Sequence, residues 1–309
     1  MQEKIGNVTL DYEYYPGEDL YSDGPVEEEL LEIAKNYQEK ELNQLIYERN
    51  SWPVLYHFSH IRQNILEWLP ITKEQNVLEI GSGCGPITGV LARKAKSVTC
   101  IDLSKMRSTI NAYRNRECDN VKIMVGNFQD VESSLTEKYD YITLIGVFEY
   151  SQGYIGTAQP YVEMLRRIAR HLAPGGRIVI AIENRLGLKY WAGCTEDHVG
   201  KYFEGLENYP DTRSVRTFSR KELSDIIGQA GEFKTTFYYP YPDYKFPMTI
   251  YSDKRLPKKG ELRDNFCNFD RNRIQLFNEG KVYDSLTDAG LFQEFSNSFL
   301  VIVERKENK

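Results

Sequence analysis

The sequence lacks the features that mark exported, disulfide-built or membrane-embedded chains. Only five cysteines occur in 309 residues, at Cys84, Cys100, Cys118, Cys194 and Cys267. Their number is odd, they are scattered, and no CxxC pair exists, which excludes a disulfide scaffold and a cysteine-based zinc centre; reduced thiols are expected. No metal ligand set is read from the sequence. The longest apolar stretch, Ile142 to Phe148, is far too short to cross a bilayer. The opening residues, Met1 to Gly6, run into no apolar signal region, so a cytoplasmic protein without membrane insertion is expected. Excess positive charge is missing too: the net charge is −6, so nucleic acid is not an expected partner. Repeats and low-complexity tracts are absent. What is plentiful is tyrosine, 22 residues of it, a side chain that suits both pockets and ordinary half-buried packing.

The pattern along the chain changes twice. The first ~25 residues are acidic and tyrosine-rich, with turn signals at Pro16-Gly17 and Gly24-Pro25. From Glu27, residues Leu30, Ile33, Ala34 and Tyr37 share one helical face, followed by Leu42, Leu45 and Ile46. Phe58, Ile61, Ile65, Leu66 and Leu69 predict a second helix ending at Pro70. Residues 1–70 thus read as an N-terminal extension and helical lid, and 71–309 as the main domain.

In that domain strands are predicted at Asn76 to Ile80, Ser97 to Ile101, Val121 to Val125, Tyr141 to Phe148 and Arg177 to Ile182, alternating with helices. Phe233 to Tyr239 and Phe299 to Glu304 bring the total to seven, and Ser219 with Glu222 reads as a capping box opening a helix. This alternation predicts an α/β fold with a doubly wound, seven-stranded, mostly parallel sheet. Segments 186–217 and 240–297 break the alternation and read as insertions folding over the open edge of the sheet.

The central motif is Glu79-Ile80-Gly81-Ser82-Gly83-Cys84-Gly85-Pro86, a glycine-rich turn between strand and helix. Such a turn lets a ligand approach the backbone at the switch point of a doubly wound sheet. Asp102 ends the next strand, where a carboxylate can accept from both ribose hydroxyls. A dinucleotide site would need similar parts, but the spacing is GxGxG rather than GxGxxG, and Pro86 stands where the third glycine would be wanted.

With these residues the chain resembles the class I S-adenosylmethionine-dependent methyltransferases. The resemblance runs through Val77 to Gly85, Asp102, Gly126-Asn127-Phe128, Tyr139-Asp140-Tyr141-Ile142 and Leu172-Ala173-Pro174-Gly175-Gly176. It implies that S-adenosylmethionine is the cofactor, that Gly81, Ser82, Gly83 and Gly85 line its methionine part and ribose with Glu79 beside them, and that Asp102 binds the ribose. It further implies that Asn127 and Phe128 hold the adenine; many members have Asp at the position of Asn127.

Methyl transfer needs alignment, exclusion of water and, for a hydroxyl acceptor, a group to take the proton. His198, flanked by Glu196 and Asp197, is the preferred base, and Glu149 and Glu183 are the other catalytic candidates because they close the fourth and fifth strands. His57, Ser59 and Arg62 form a polar cluster expected to face solvent, with contact to the cofactor carboxylate or the substrate as the alternative. The aromatic and proline-rich run Phe237 to Tyr251 reads as one wall of an acceptor pocket. Two stretches, 181–193 and 238–245, resemble methyltransferases associated with bacterial surface-polysaccharide synthesis. That resemblance implies O-methylation of a sugar or glycan, and it leaves association with glycosyltransferases and oligomerisation open. The alternatives are a small metabolite or protein side chain as acceptor, or a non-catalytic cofactor-binding module.

Overall fold

A computed structural model describes residues 1–19, 21–263 and 273–306; Cys267 and part of the second insertion lie outside them. The chain forms two compact units, Met1–Leu144 with Arg167–Ile178, and Ile145–Arg166 with Val179–Lys309. No helix among the described residues is long and apolar enough to cross a membrane.

The first unit carries β1 (Gln2–Ile5), β2 (Val8–Asp11), β3 (Asn76–Ile80), β4 (Ser97–Asp102), β5 (Val121–Val125), β6 (Tyr139–Ile145) and the start of β7 (Leu172–Glu183), in the order β1-β2-β5-β4-β3-β6-β7. Val77, Leu78, Val98, Cys100, Ile123, Val125, Ile142 and Leu144 are buried on both faces, as parallel strands covered by helices require. β3 pairs in parallel with β4 on one side and β6 on the other. The chain therefore reverses its direction of winding at β3, and the glycine turn that follows lies at the switch point. β1 and β2 form an antiparallel hairpin, which joins the sheet through a parallel β2–β5 pair.

Helix Val26–Asn36 buries Leu30, Ile33 and Ala34 in a cluster with Val54, Phe58, Cys84 and Ile110, which fastens the N-terminal segment beside the glycine turn. Each such aliphatic side chain contributes roughly 1.5–3 kcal/mol on burial. The second predicted helix is broken into Trp52–Phe58, a three-ten turn His60–Gln63, and Asn64–Glu67. The break falls at Ser59, whose backbone is extended and whose hydroxyl accepts the Ile61 N–H at 3.3 Å, an alternative to helical bonding that serine offers readily.

The second unit contains the end of β7 with β8 (Phe233–Tyr241), β9 (Thr249–Ser252) and β10 (Ser298–Arg305), in the order β7-β10-β8-β9. β10 and β8 are antiparallel, as are β8 and β9. Helix Arg220–Ala230 opens on the predicted capping box: the Glu222 carboxylate accepts the Ser219 N–H at 2.8 Å, and the Ser219 hydroxyl accepts the Glu222 N–H at 3.3 Å. All seven predicted strands are present, and β1, β2 and β9 add to them.

Five rings of the aromatic run pack into the fold, while Asp243 and Lys245 of the same run join a polar cluster with Lys189 and Glu183. Phe237, Tyr239, Tyr241, Tyr244 and Tyr251 are buried. Tyr239 meets Phe292 and Phe299 edge-on, Tyr241 meets Tyr283, and Tyr251 meets Phe292. These rings fasten helix Glu279–Asp288 and its neighbours onto β8 through edge-to-face contacts.

Candidate active site

In the first unit the turn after β3 has left-handed backbone at Gly81, Gly83 and Gly85. Their roles differ. A Cβ on Gly83 would meet nothing within 4 Å, so this glycine leaves room for a ligand. A Cβ on Gly85 would fall 2.3 Å from Asn111 Oδ1, so its bareness serves the packing of helix Lys105–Arg114. Asp102 stands beside Gly83: Oδ2 accepts the Gly83 N–H at 2.7 Å and Oδ1 accepts the Ser104 N–H at 3.0 Å. Each oxygen keeps a further acceptor site, and burial lifts this carboxyl above its usual range.

Glu79 is buried, and its carboxylate accepts from Thr88 Oγ1 at 2.7 Å and from the Cys100 thiol at 3.3 Å. Burial pushes its pKa up to about 7. Asn127 caps helix Phe128–Val131 by accepting the Gln129 N–H at 3.1 Å, and Phe128 is 6% exposed.

The N-terminal segment crosses the carboxyl ends of β4 and β5. A Cβ on Gly126 would meet Tyr14 at 2.7 Å. Asp19 accepts from Ser104 Oγ at 2.9 Å and from the Lys105 and Met106 N–H groups at 2.6 and 3.1 Å. His57, Ser59 and Arg62 do not face solvent: they are 5%, 3% and 3% exposed. His57 Nε2 lies 3.6 Å from Asp23, and burial lowers its pKa, so the ring is neutral. Arg62 stacks 4.0 Å over the Tyr56 ring, while its Nε and Nη1, together with His57 Nδ1 and Ser82 Oγ, have no hydrogen-bond partner among the described residues. A guanidinium buried in that way is costly unless an anion meets it.

The second unit gathers a separate polar cluster. Glu149 sits in the turn Phe148–Tyr150 after β6, and Glu183 ends β7; both are fully buried. His198 comes from the first insertion, and its side chain is 8% exposed, so it is no solvated loop residue. Its Nε2 lies 3.5 Å from Glu149 Oε1 and 3.8 Å from Glu183 Oε2, and its Nδ1 meets Glu196 Oε1 at 2.8 Å. Glu196 also accepts the His198 and Val199 N–H groups at 2.7 and 2.8 Å and the Tyr209 hydroxyl at 3.1 Å, which fixes the ring. Burial alone would lower the His198 pKa; Glu183, Glu149 and Glu196 outweigh it and hold the imidazole well above its usual range.

Two lysines complete the cluster. Lys245 pairs with Glu183 Oε1 and lies 3.1 Å from Asp197 Oδ1, while Lys189 lies 2.8 Å from both Asp197 and Asp243. Burial pushes the Glu149 carboxyl up; for Glu183 the burial effect is overcome by Lys245 and then His198, and its pKa falls. Apart from the facing His198 Nε2, no donor among the described residues reaches either oxygen of Glu149 or Glu183 Oε2. Lys189, Lys245 and Asp243 escaped sequence reasoning as site residues, although they fall within the two stretches whose resemblance pointed to the acceptor. Asn184, next to Glu183, serves structure instead: its amide donates to the Glu294 and Ser296 carbonyls at 2.8 Å each.

Comparison with known proteins decides the family. Residues 55–231 match the methyltransferase domain. The chain belongs to that family. It carries a class I, S-adenosylmethionine-dependent methyltransferase domain, as the glycine turn and the mostly parallel sheet require. An uncharacterized methyltransferase of Staphylococcus carnosus is 26% identical over 171 residues, covering 54% of this chain and 74% of that protein. The ribosomal RNA small subunit methyltransferase A of Listeria monocytogenes is 34% identical over 88 residues, which cover 26% of this chain and only 28% of that relative. Among solved structures, a chain from the Haloferax volcanii complex of the Trm112 methyltransferase activator with a methyltransferase is 18% identical at a TM-score of 0.50, covering 88% of this chain and 99% of that one. This likeness concerns the fold alone.

Proposed function

We propose that this methyltransferase transfers a methyl group to a hydroxyl of a sugar or glycan intermediate, in the cytoplasm and in association with polysaccharide synthesis. The observation that carries the hydroxyl acceptor is Glu149: a fully buried carboxyl group with His198 Nε2 3.5 Å away and no closer donor among the described residues has room to accept from a substrate hydroxyl. The sugar rests on the resemblance of stretches 181–193 and 238–245. The rRNA target named for the Listeria relative suits this chain less well, because a net charge of −6 repels a phosphate backbone.

The first unit fits the cofactor: Gly83 leaves room, Asp102 keeps acceptor sites for two ribose hydroxyls, Asn127 and Phe128 stand ready for the adenine, and Arg62 offers a buried cation to a carboxylate. Bound there, S-adenosylmethionine supplies an electrophilic methyl group on a sulfonium sulfur. Residues 1–70 act as the covering segment, with Asp19 and Tyr14 pinned across the strand ends. The cluster of the second unit deals with the acceptor. Glu149 would accept a hydrogen bond from the acceptor's hydroxyl and would hold the proton that this hydroxyl gives up on methylation. His198 sits beside it, held by Glu196, and Glu183 keeps Lys245 in place.

The test is incubation with methyl-labelled S-adenosylmethionine and three acceptor sets: glycans, small amines and ribosomal RNA. Label in an ether-linked methyl of a sugar is expected, and Glu149→Gln should abolish it while calorimetry still detects S-adenosylhomocysteine binding. Label in an amine or in RNA alone, or full activity of the variant, would refute the reading.

A further inference from the structure

We propose that Glu149, Glu183 and His198 together bind a divalent first-row transition ion, of the Mn2+ or Zn2+ kind, within the second unit. The inference deepens the acceptor-site reading above and rests on it. Three observations carry it.

The first is geometric. One ligand atom from each of the three residues lies within 4.8 Å of the others, and His198 Nε2 stands 3.5 Å from Glu149 Oε1 and 3.8 Å from Glu183 Oε2. Ligands bound about 2.1 Å from one tetrahedral ion stand about 3.4 Å apart. Both histidine–carboxylate pairs are therefore close to bridging distance already, and the two carboxylates need only close on each other.

The second is hydrogen bonding. Both oxygens of Glu149 and Glu183 Oε2 are buried and make no hydrogen bond among the described residues, and Glu149 Oε1 and Glu183 Oε2 face His198 Nε2. The other ring nitrogen of His198 is engaged by Glu196 at 2.8 Å. A carboxylate behind the distal nitrogen would orient the ring and hold the Nδ1 hydrogen once Nε2 had exchanged its own for a metal, the usual support of a metal-bound imidazole.

The third is charge. Glu149, Glu183, Glu196, Asp197 and Asp243 bring five carboxyl groups into the cluster, and they outnumber its basic side chains, Lys189, Lys245 and His198. Both lysines are held by Asp197, Asp243 and Glu183 Oε1, which leaves Glu149 and Glu183 Oε2 for a further cation. One imidazole with two carboxylates suits Mn2+ or Zn2+ better than Mg2+, which favours all-oxygen, largely hydrated sites. The ion would sit where the acceptor oxygen is handled and would favour its ionised form.

The full chain, stripped with a chelator, is titrated with Mn2+ followed by electron paramagnetic resonance of the free ion, and with Zn2+ by calorimetry. One ion per chain is expected. Glu149→Gln and His198→Ala should weaken binding about 100-fold or more, and Glu196→Gln about 10- to 100-fold through loss of its support. S-adenosylhomocysteine binding, measured on each variant, should be unchanged and reports that the fold persists. Absence of both ions at about 1 mM, equal affinity in Glu149→Gln, or saturation of the cluster by methylammonium with no metal bound overturns the inference. Glycan methylation by a chain that binds no metal would sink this proposal and leave the hydroxyl-acceptor reading standing. Stoichiometric metal with no hydroxyl methylated would do the reverse.

Discussion

Replacing Glu79 by Gln changes how stability depends on pH, and the size of the effect follows from the burial of one carboxyl group. Glu79 is 4% exposed, and its hydrogen-bond partners among the described residues are the Thr88 hydroxyl and the Cys100 thiol, both neutral. Burial raises its pKa from 4.5 to about 7 in the folded chain. Between those values the folded state holds a proton that the unfolded state has released, so stability is greatest at low pH and is lost as the pH rises through the folded value. At 1.36 kcal/mol per unit, the loss between about pH 5 and about pH 8 comes to roughly 2 to 3 kcal/mol. Gln stays neutral and keeps an oxygen for Thr88. The stability of Glu79→Gln relative to the parent chain should therefore rise by that amount across the interval, whatever its offset at pH 5. Urea unfolding of both proteins at several pH values, followed by a probe in the first unit, measures it. A difference that stays flat with pH would show that the carboxyl is ionised in the folded chain, and the argument from burial would fail.

Other outcomes follow from the same geometry. Asp102→Ala should weaken S-adenosylhomocysteine binding at least about 100-fold, since charge-assisted bonds to two ribose hydroxyls contribute roughly 1.5–3 kcal/mol each; calorimetry with an unchanged circular dichroism spectrum checks it. Arg62→Met should leave stability level or raised, because an unpaired guanidinium is costly to bury, while cofactor affinity falls about tenfold or more; unchanged affinity would remove Arg62 from the cofactor site. His198→Ala should lower turnover far more than it lowers cofactor affinity, and equal losses in both would argue against its place at the acceptor. Ser219→Ala should cost about 1 kcal/mol through loss of the cap on helix Arg220–Ala230, read by chemical denaturation of the second unit.

What could be read in the sequence was mostly local. The glycine turn is legible because GxGxG between a buried strand and a helix leaves few uses for bare backbone, and the Ser219–Glu222 cap because both halves of the motif lie three residues apart. Seven strands announced themselves by apolar runs. β1 and β2 did not, since four-residue strands in an acidic, tyrosine-rich segment have no pattern long enough to see, and they are held by pairing with β5, more than a hundred residues away.

The sequence by itself also determined the chemistry on offer: acids at the ends of β6 and β7, and a histidine between Glu196 and Asp197. Which of these side chains meet was decided by tertiary structure. Residues 149, 183, 196, 198 and 245 share no spacing rule, and only the path of two insertions brings His198 to Glu149 and Lys245 to Glu183. The same holds for burial. The helical pattern around His57 and Arg62 reads as a wet face, because periodicity records which residues share a side but not what covers it. Distant segments supply the cover, and contacts between distant segments leave no trace in local order.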